Sequence, residues 1–137
     1  AQLRRAQLVA PTASVQNRCG VFARRDFGNG VIALCEAEKI AYLAYSPVGG
    51  SRGKSRVGDD PTLRRIGARH GVSSFQVALA WLLARSPVII PIPGASKITS
   101  AIDSAAASGL VLTADDLESL EQAFPTTQPA AAAARAV

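Results

Sequence analysis

Three short strand-like runs, two of them continuously apolar and each followed by a helix-like segment, constrain the fold of this chain more than any other feature. Ala13-Ser14-Val15-Gln16 is set off by Pro11, Ile40 to Tyr45 is cut short by Ser46-Pro47, and Val88 to Ile92 ends in Pro93-Gly94. Runs this short suit strands better than helices. Strands that alternate with helices imply right-handed βαβ units and parallel pairing. Continuous apolar strands predict a parallel sheet covered on both faces. The chain therefore reads as α/β. With 137 residues it has room for one domain, whereas a full (β/α)₈ barrel needs about 250.

Between the strands, the punctuation predicts where helices start and stop. Residues 1–8 read as the end of a helix, and residues 29–39 place Val31, Ile32, Leu34 and Cys35 at helical spacing. Ser46-Pro47-Val48-Gly49-Gly50 ends the second run sharply, and a loop rich in Gly, Ser and Arg is expected to follow to about Asp60. Asp60-Pro61 supplies an N-cap and a first-turn proline for a helix to His70, and Gly71 is placed to end it. At the end of that helix, His70 is expected to face solvent. Ser73 with Gln76 fits a capping box for a helix from Phe75 to Arg85, apolar nearly all round and so expected to be buried. A weaker helix is expected over Ile98–Ala107. Thr113 with Asp116 fits a second capping box, opening a helix from Ala114 to Phe124. Residues 125–137 are low in complexity and read as a tail on a unit that spans 1–124.

Composition excludes several classes. Hydrophobic residues make up 48% of the chain, which is not the composition of a disordered protein. No apolar run approaches the roughly 18 residues of a membrane span, and the basic N-terminus is not followed by the apolar stretch of a signal peptide. Cys19 and Cys35 have no metal-site spacing, so they read as small buried hydrophobes, reduced, in a cytoplasmic protein. The net charge of +5 comes largely from arginines, but these are scattered and aromatics are only 5%. A nucleic-acid surface would want a basic stripe or stacking rings, so none is expected. The chain contains no methionine, which leads us to expect a fragment or a chain whose beginning is missing.

Ligands of parallel α/β folds bind beyond the carboxyl ends of the strands. Three such ends occur here: Gln16-Asn17; Tyr45-Ser46-Pro47-Val48-Gly49; and Pro93-Gly94-Ala95-Ser96-Lys97. Each has a plain reading as a strand end, loop punctuation or a Ser96 N-cap. Together they offer an amide, an aromatic ring, hydroxyls and an ammonium on one rim. Glycine, a hydroxyl and a lysine at a helix N-terminus favour an anion. Neither a Walker A sequence nor G-x-G-x-x-G is present.

These segments resemble the C-terminal half of the aldo-keto reductase family. SVQNR, IAYLAYSPVGG, GVSSFQVALAWLLAR, VIIPIPGASK and LTADDLESLE keep that family's order and approximate spacing over nearly the whole chain. The resemblance implies strands six to eight of a (β/α)₈ TIM barrel, a half barrel. It implies an NADPH-dependent oxidoreductase that reduces aldehydes and ketones. Gln16 is then similar to the glutamine that binds the nicotinamide carboxamide, and Tyr45 to the aromatic that stacks on the ring. Ser46, Pro47, Val48 and Gly49 match the pyrophosphate loop. Gly94 lets the backbone come close to the ligand, and Ser96 and Lys97 match the pair that holds the 2′-phosphate. Asp103 and Ser104 stand where the family often has Glu and Asn against adenine, a departure that puts the adenine contact in question. The family's Asp, Tyr, Lys and His tetrad belongs to the first half of the barrel. No catalytic residue or metal ligand is therefore expected here. The chain alone is expected to be a poor enzyme that needs its N-terminal half as partner and a small carbonyl compound as substrate. The alternative implied by the resemblance is a non-catalytic binding subunit or a gene remnant.

Overall fold

The computed structural model describes residues 2–126. The elements run α1 Gln2–Gln7, β1 Ser14–Arg18, α2 Arg25–Gly28, α3 Val31–Ala37, β2 Ala41–Tyr45, α4 Gly50–Asp59, α5 Pro61–His70, α6 Ser74–Arg85, β3 Ile89–Ile92, α7 Ile98–Ala106, a 3₁₀ turn Ala107–Gly109, and α8 Ala114–Ala123. The expectation for residues 125–137 falls, from 127 onward, outside the described residues.

The three strands form one parallel sheet in the order β1-β2-β3. Register sets two rows across it: Gln16 beside Leu43 beside Ile90, and Arg18 beside Tyr45 beside Ile92. Alternation along each strand splits the sheet into two unlike faces. Tyr42, Ala44 and Ile89 are buried at 0–3% exposure, whereas Tyr45, Ile90 and Ile92 are 40–48% exposed. The sheet is therefore not covered on both faces, as the apolar runs had suggested. Among the described residues the helices cover one face and leave the other open.

The covered side holds the core. Six consecutive residues of α6, Val77 to Leu82, are buried, and Trp81, Leu63, Ile66, Leu82 and Leu120 are among the largest fully enclosed side chains. Each buried Leu or Ile contributes on the order of 1.5–3 kcal/mol of apolar transfer. Trp81 packs edge-on against Phe27, with ring centroids 5.3 Å apart. The Arg24 guanidinium lies 4.4 Å from its ring centroid. Glu121 then gathers this corner: its Oε1 accepts from Trp81 Nε1 at 3.1 Å, from Arg85 Nη1 at 3.2 Å and from Arg24 Nη2.

The cap signals operate as their chemistry demands at two helices. Asp60 Oδ1 accepts from the backbone N–H of Thr62 and Leu63, and Gly71 closes α5 in the left-handed conformation. Thr113 and Asp116 form the complete reciprocal box at α8. The box at α6 is only half made. Ser73 Oγ accepts from Gln76 N–H, but the Gln76 side chain goes to Asp103 instead of turning back. The stretch 50–59 is a helix, α4, and not the loop its composition predicts. Val57, fully buried, anchors that helix to the core, and tertiary packing overrides the poor propensity of its glycines.

Candidate functional site

The carboxyl ends of the three strands meet at one rim, and the open face runs up to it. At β1, Gln16 is exposed on the open face. Asn17 points the other way, and its Nδ2 donates to Asp26 Oδ2 at 2.6 Å. Only the first of this amide pair can therefore meet a ligand on the open face. Arg18 is also exposed there, beside Tyr45 in register, and sequence reasoning passed over it. The signal was present: Arg18 is two residues from Gln16 and must share its face.

Behind Asn17 lies a buried polar cluster. Asp26 accepts from Asn17, from Asn29 Nδ2 at 2.8 Å and from the Tyr42 hydroxyl at 2.7 Å. Burial, then the hydrogen bond to Asp26, pushes the Tyr42 phenol far above its ordinary range. Burial also pushes the neighbouring Cys19 thiol up to about 11. Both groups stay protonated and structural. They lie on the covered side, away from the rim's open face.

At β2, Tyr45 is 41% exposed. The chain then turns tightly. Ser46 adopts φ 49°, its carbonyl accepts from Gly49 N–H at 2.9 Å, and Gly49 follows at φ 89°. A Cβ at Gly49 would lie 2.6 Å from the backbone of Gly53, so only glycine fits both the angle and the space. The turn delivers the chain directly into α4, whose first N–H groups point back toward Ser46 to Gly49. Pro47 is buried against β1's loop, where a Cβ at Gly20 would lie 2.4 Å from the Pro47 carbonyl oxygen.

At β3, the prolines fall at the end of the ladder. Pro91 pairs in register with Ala44, and Pro93 lies just beyond the strand. Gly94, Ala95, Ser96 and Lys97 are exposed, and a Cβ on Gly94 would meet nothing within 4 Å. The N-cap of α7 is Lys97, not Ser96, and no side chain caps the helix. Its first N–H groups therefore remain available beside the lysine.

A cleft of about 340 Å³ opens between the β2 and β3 loops and α7, lined by Val48, Gly94, Thr99, Ser100, Asp103 and Ser104 among others. Asp103 is already engaged. Its Oδ2 accepts from Ser73 Oγ at 2.8 Å and its Oδ1 from Gln76 Nε2 at 2.7 Å. Thr99 and Ser100 join this wall and were not singled out from the sequence. Of the residues singled out in the sequence, Val48, Gly94, Asp103 and Ser104 line this one cleft, while Ser96 and Lys97 are exposed in the chain between Gly94 and α7. Gln16 and Tyr45 stand on the adjoining open face.

His70 lies elsewhere and is no solvent-facing cap. Its Nε2 is 2.7 Å from Asp116 Oδ2, and Arg69 pairs with the same carboxylate. Burial opposes ionisation of Asp116. The hydrogen bonds from His70 and Thr113 and the charge of Arg69 outweigh it and hold the carboxyl at about 2. This cluster joins α5 to α8. Among the described residues no group of His, Cys, Asp and Glu is arranged to hold a metal ion, and no helix is long and apolar enough to cross a membrane.

A profile of the Aldo/keto reductase family matches residues 1–124. Pyridoxine 4-dehydrogenase of Escherichia coli (strain K12) is 34% identical over 120 residues, a match that covers 88% of this chain and 40% of that enzyme. The chain thus spans about 40% of the length of this relative. A crystal structure of a thermostable aldo-keto reductase with the inhibitor epalrestat superposes with a TM-score of 0.75 at 26% identity, over 88% of this chain and 43% of that one. An aldo-keto reductase from Klebsiella pneumoniae in complex with NADPH superposes with a TM-score of 0.82 at 22% identity, over 91% of this chain and 45% of that one.

Proposed function

This chain belongs to the aldo/keto reductase family, an oxidoreductase family, and on that premise we propose that it forms the NADP(H)-binding part of a carbonyl reductase. The observation that carries the reading is the convergence at one rim of two helix N-termini, α4 and α7, with an exposed lysine at the second. Two phosphate-bearing ends of one ligand suit that arrangement. Gln16 would hold an amide and Tyr45 would support a flat ring, both on the open face. Ser46 to Gly49 and the start of α4 would take a pyrophosphate. Ser96 and Lys97 would take a 2′-phosphate. When bound, the nicotinamide cofactor supplies the hydride that reduces an aldehyde or ketone. The relative solved with NADPH supports this choice of cofactor.

We propose further that the three strands are the last three of a (β/α)₈ barrel. The open sheet face supports this, as do grooves at both sheet edges. One, of about 630 Å³, runs along β1 by Leu3, Val15 and Val31, and another, of about 410 Å³, along β3 by Leu79, Ile89 and Pro91. Each is lined by apolar residues that an adjoining strand and helix would cover. The group that protonates the substrate oxygen, and its partners, would come from the remainder of the barrel, so this chain alone would turn over poorly. Two free, buried cysteines suit a reducing cytoplasm.

Calorimetric titration with NADPH and NADH tests the cofactor reading. Lys97→Ala is expected to weaken NADPH about tenfold and NADH hardly at all, since one charge-assisted contact carries on the order of 1.4 kcal/mol. Equal loss for both cofactors would overturn the 2′-phosphate assignment.

A further inference from the structure

Helix α7 sets where Lys97 stands, yet it is weakly held by apolar contact. None of its residues is fully buried, and its two isoleucines, Ile98 and Ile102, are 82% and 64% exposed. Among the described residues, and apart from Ser108 Oγ of the following 3₁₀ turn donating to the Ala105 carbonyl, the side-chain hydrogen bonds that tie α7 to another element are the two Asp103 accepts, from Ser73 Oγ and Gln76 Nε2 of the α6 start. That anchor is itself rigid. Ser73 Oγ donates to Asp103 while it accepts from Gln76 N–H at 3.1 Å, so one hydroxyl caps α6 and fastens α7. Behind it, α6 is the most buried helix of the chain. Gln76 has the side chain of a capping-box residue but reaches across to Asp103 instead.

We propose that Ser73 and Gln76 are positioning residues: by clamping Asp103 they fix α7, and with it Lys97, at the height where the ammonium meets the cofactor's 2′-phosphate. This rests on the cofactor reading above and adds to it. Asp103 lies six residues, nearly two turns, along α7 from Lys97. A release at Asp103 frees the helix start to tilt, and a charge-assisted hydrogen bond, which needs about 2.7–2.9 Å and good alignment, is lost within an ångström or so of displacement. Asp103 also lines the cleft, but its hold on α7 needs no ligand.

Two measurements on the full chain test this. Amide hydrogen exchange needs no nucleotide. Gln76→Ala is expected to speed exchange across Ile98–Ala106 at least tenfold and leave α5 and α8 unchanged; unchanged α7 exchange would overturn the clamp. Affinities for NADP⁺ and NAD⁺ are then read in a cycle of Gln76→Ala and Lys97→Ala. Gln76→Ala alone should weaken NADP⁺ three- to tenfold and NAD⁺ less than twofold, and should add less than twofold once Lys97 is already alanine. Gln76→Glu, which sets a carboxylate against Asp103, should exceed Gln76→Ala. If the Gln76→Ala effect is equal for both cofactors, or multiplies fully with Lys97→Ala, the positioning role is wrong. If Lys97→Ala itself fails to separate NADP⁺ from NAD⁺, the reading of Lys97 falls, and the exchange result still decides the clamp.

Discussion

The two faces of the sheet are made by the same three strands and differ in almost everything else. On the covered face, Tyr42, Ala44 and Ile89 are closed off by the helices, and the Tyr42 hydroxyl donates to Asp26 within the chain. On the open face, Gln16, Arg18 and Tyr45 stand exposed, in register with Ile90 and Ile92, which remain 40–48% exposed. Stability is thus concentrated on one side of a sheet one residue thick, and the ring and amide contacts we propose for a cofactor on the other. Substitutions on the two sides should separate these properties.

The largest effect is expected at the covered side. Trp81→Ala removes a fully buried ring with its Phe27 contact, the Arg24 stacking and the indole bond to Glu121. A cost of about 3–5 kcal/mol is expected, enough to consume most of a small domain's stability. Urea unfolding followed by far-UV circular dichroism reads it. A loss under about 1 kcal/mol would mean that the core of this chain does not rest on α6.

An intermediate effect comes from acid. The Asp116 carboxyl is held at about 2, below its ordinary 3.8, by His70, Thr113 and Arg69 against the cost of burial. A carboxylate held down in the folded state stabilises above its unfolded pKa and loses that contribution as pH falls through the folded one. The window therefore runs from about pH 4 down to about pH 2, and the contribution lost is about 2 kcal/mol. Denaturation midpoints at pH 5, 3 and 2 should fall accordingly, and Asp116→Asn should flatten that limb. An unchanged limb in the variant would show that α5 and α8 are not joined by this charge.

What was legible in the sequence was mostly local. Asp60-Pro61, Gly71 and the Thr113–Asp116 pair act on backbone groups within three or four residues, and the three strands announce themselves by apolar runs cut by Pro and Gly. Longer-range partners were not legible. His70 looked like an exposed helix end because its partner, Asp116, is 46 residues away. Gln76 looked like a capping residue because Asp103 is 27 residues on. Helix α4 was hidden by its glycines, since what holds it is burial of Val57 in a core the sequence does not display. Lys97 and its neighbours read as an anion site from residue types alone, but the sequence could not show that Lys97, and not Ser96, caps α7. Nor could apolar runs say that one side of the sheet would stay uncovered, because buried and uncovered isoleucines are the same letter.

The smallest effect tests that last point. Ile92→Thr on the open face keeps the β-branched shape that suits a strand and replaces the ethyl arm by a hydroxyl where the side chain is 40% exposed. In this chain alone the expected change in unfolding free energy is within about 0.5 kcal/mol. Ile89→Thr, three residues earlier on the covered face at 3% exposure, should cost several times more, because its hydroxyl would be buried without a ready partner. Aggregation should move the opposite way: Ile92→Thr should raise the concentration at which the chain stays monodisperse by light scattering, since it breaks up the row of Tyr45 and Ile92 beside an open sheet edge. Ile92→Thr as costly as Ile89→Thr would mean that in solution the open face is covered by something the chain brings to itself, such as a second copy. In that case the division of labour between the two faces would not hold for the isolated chain.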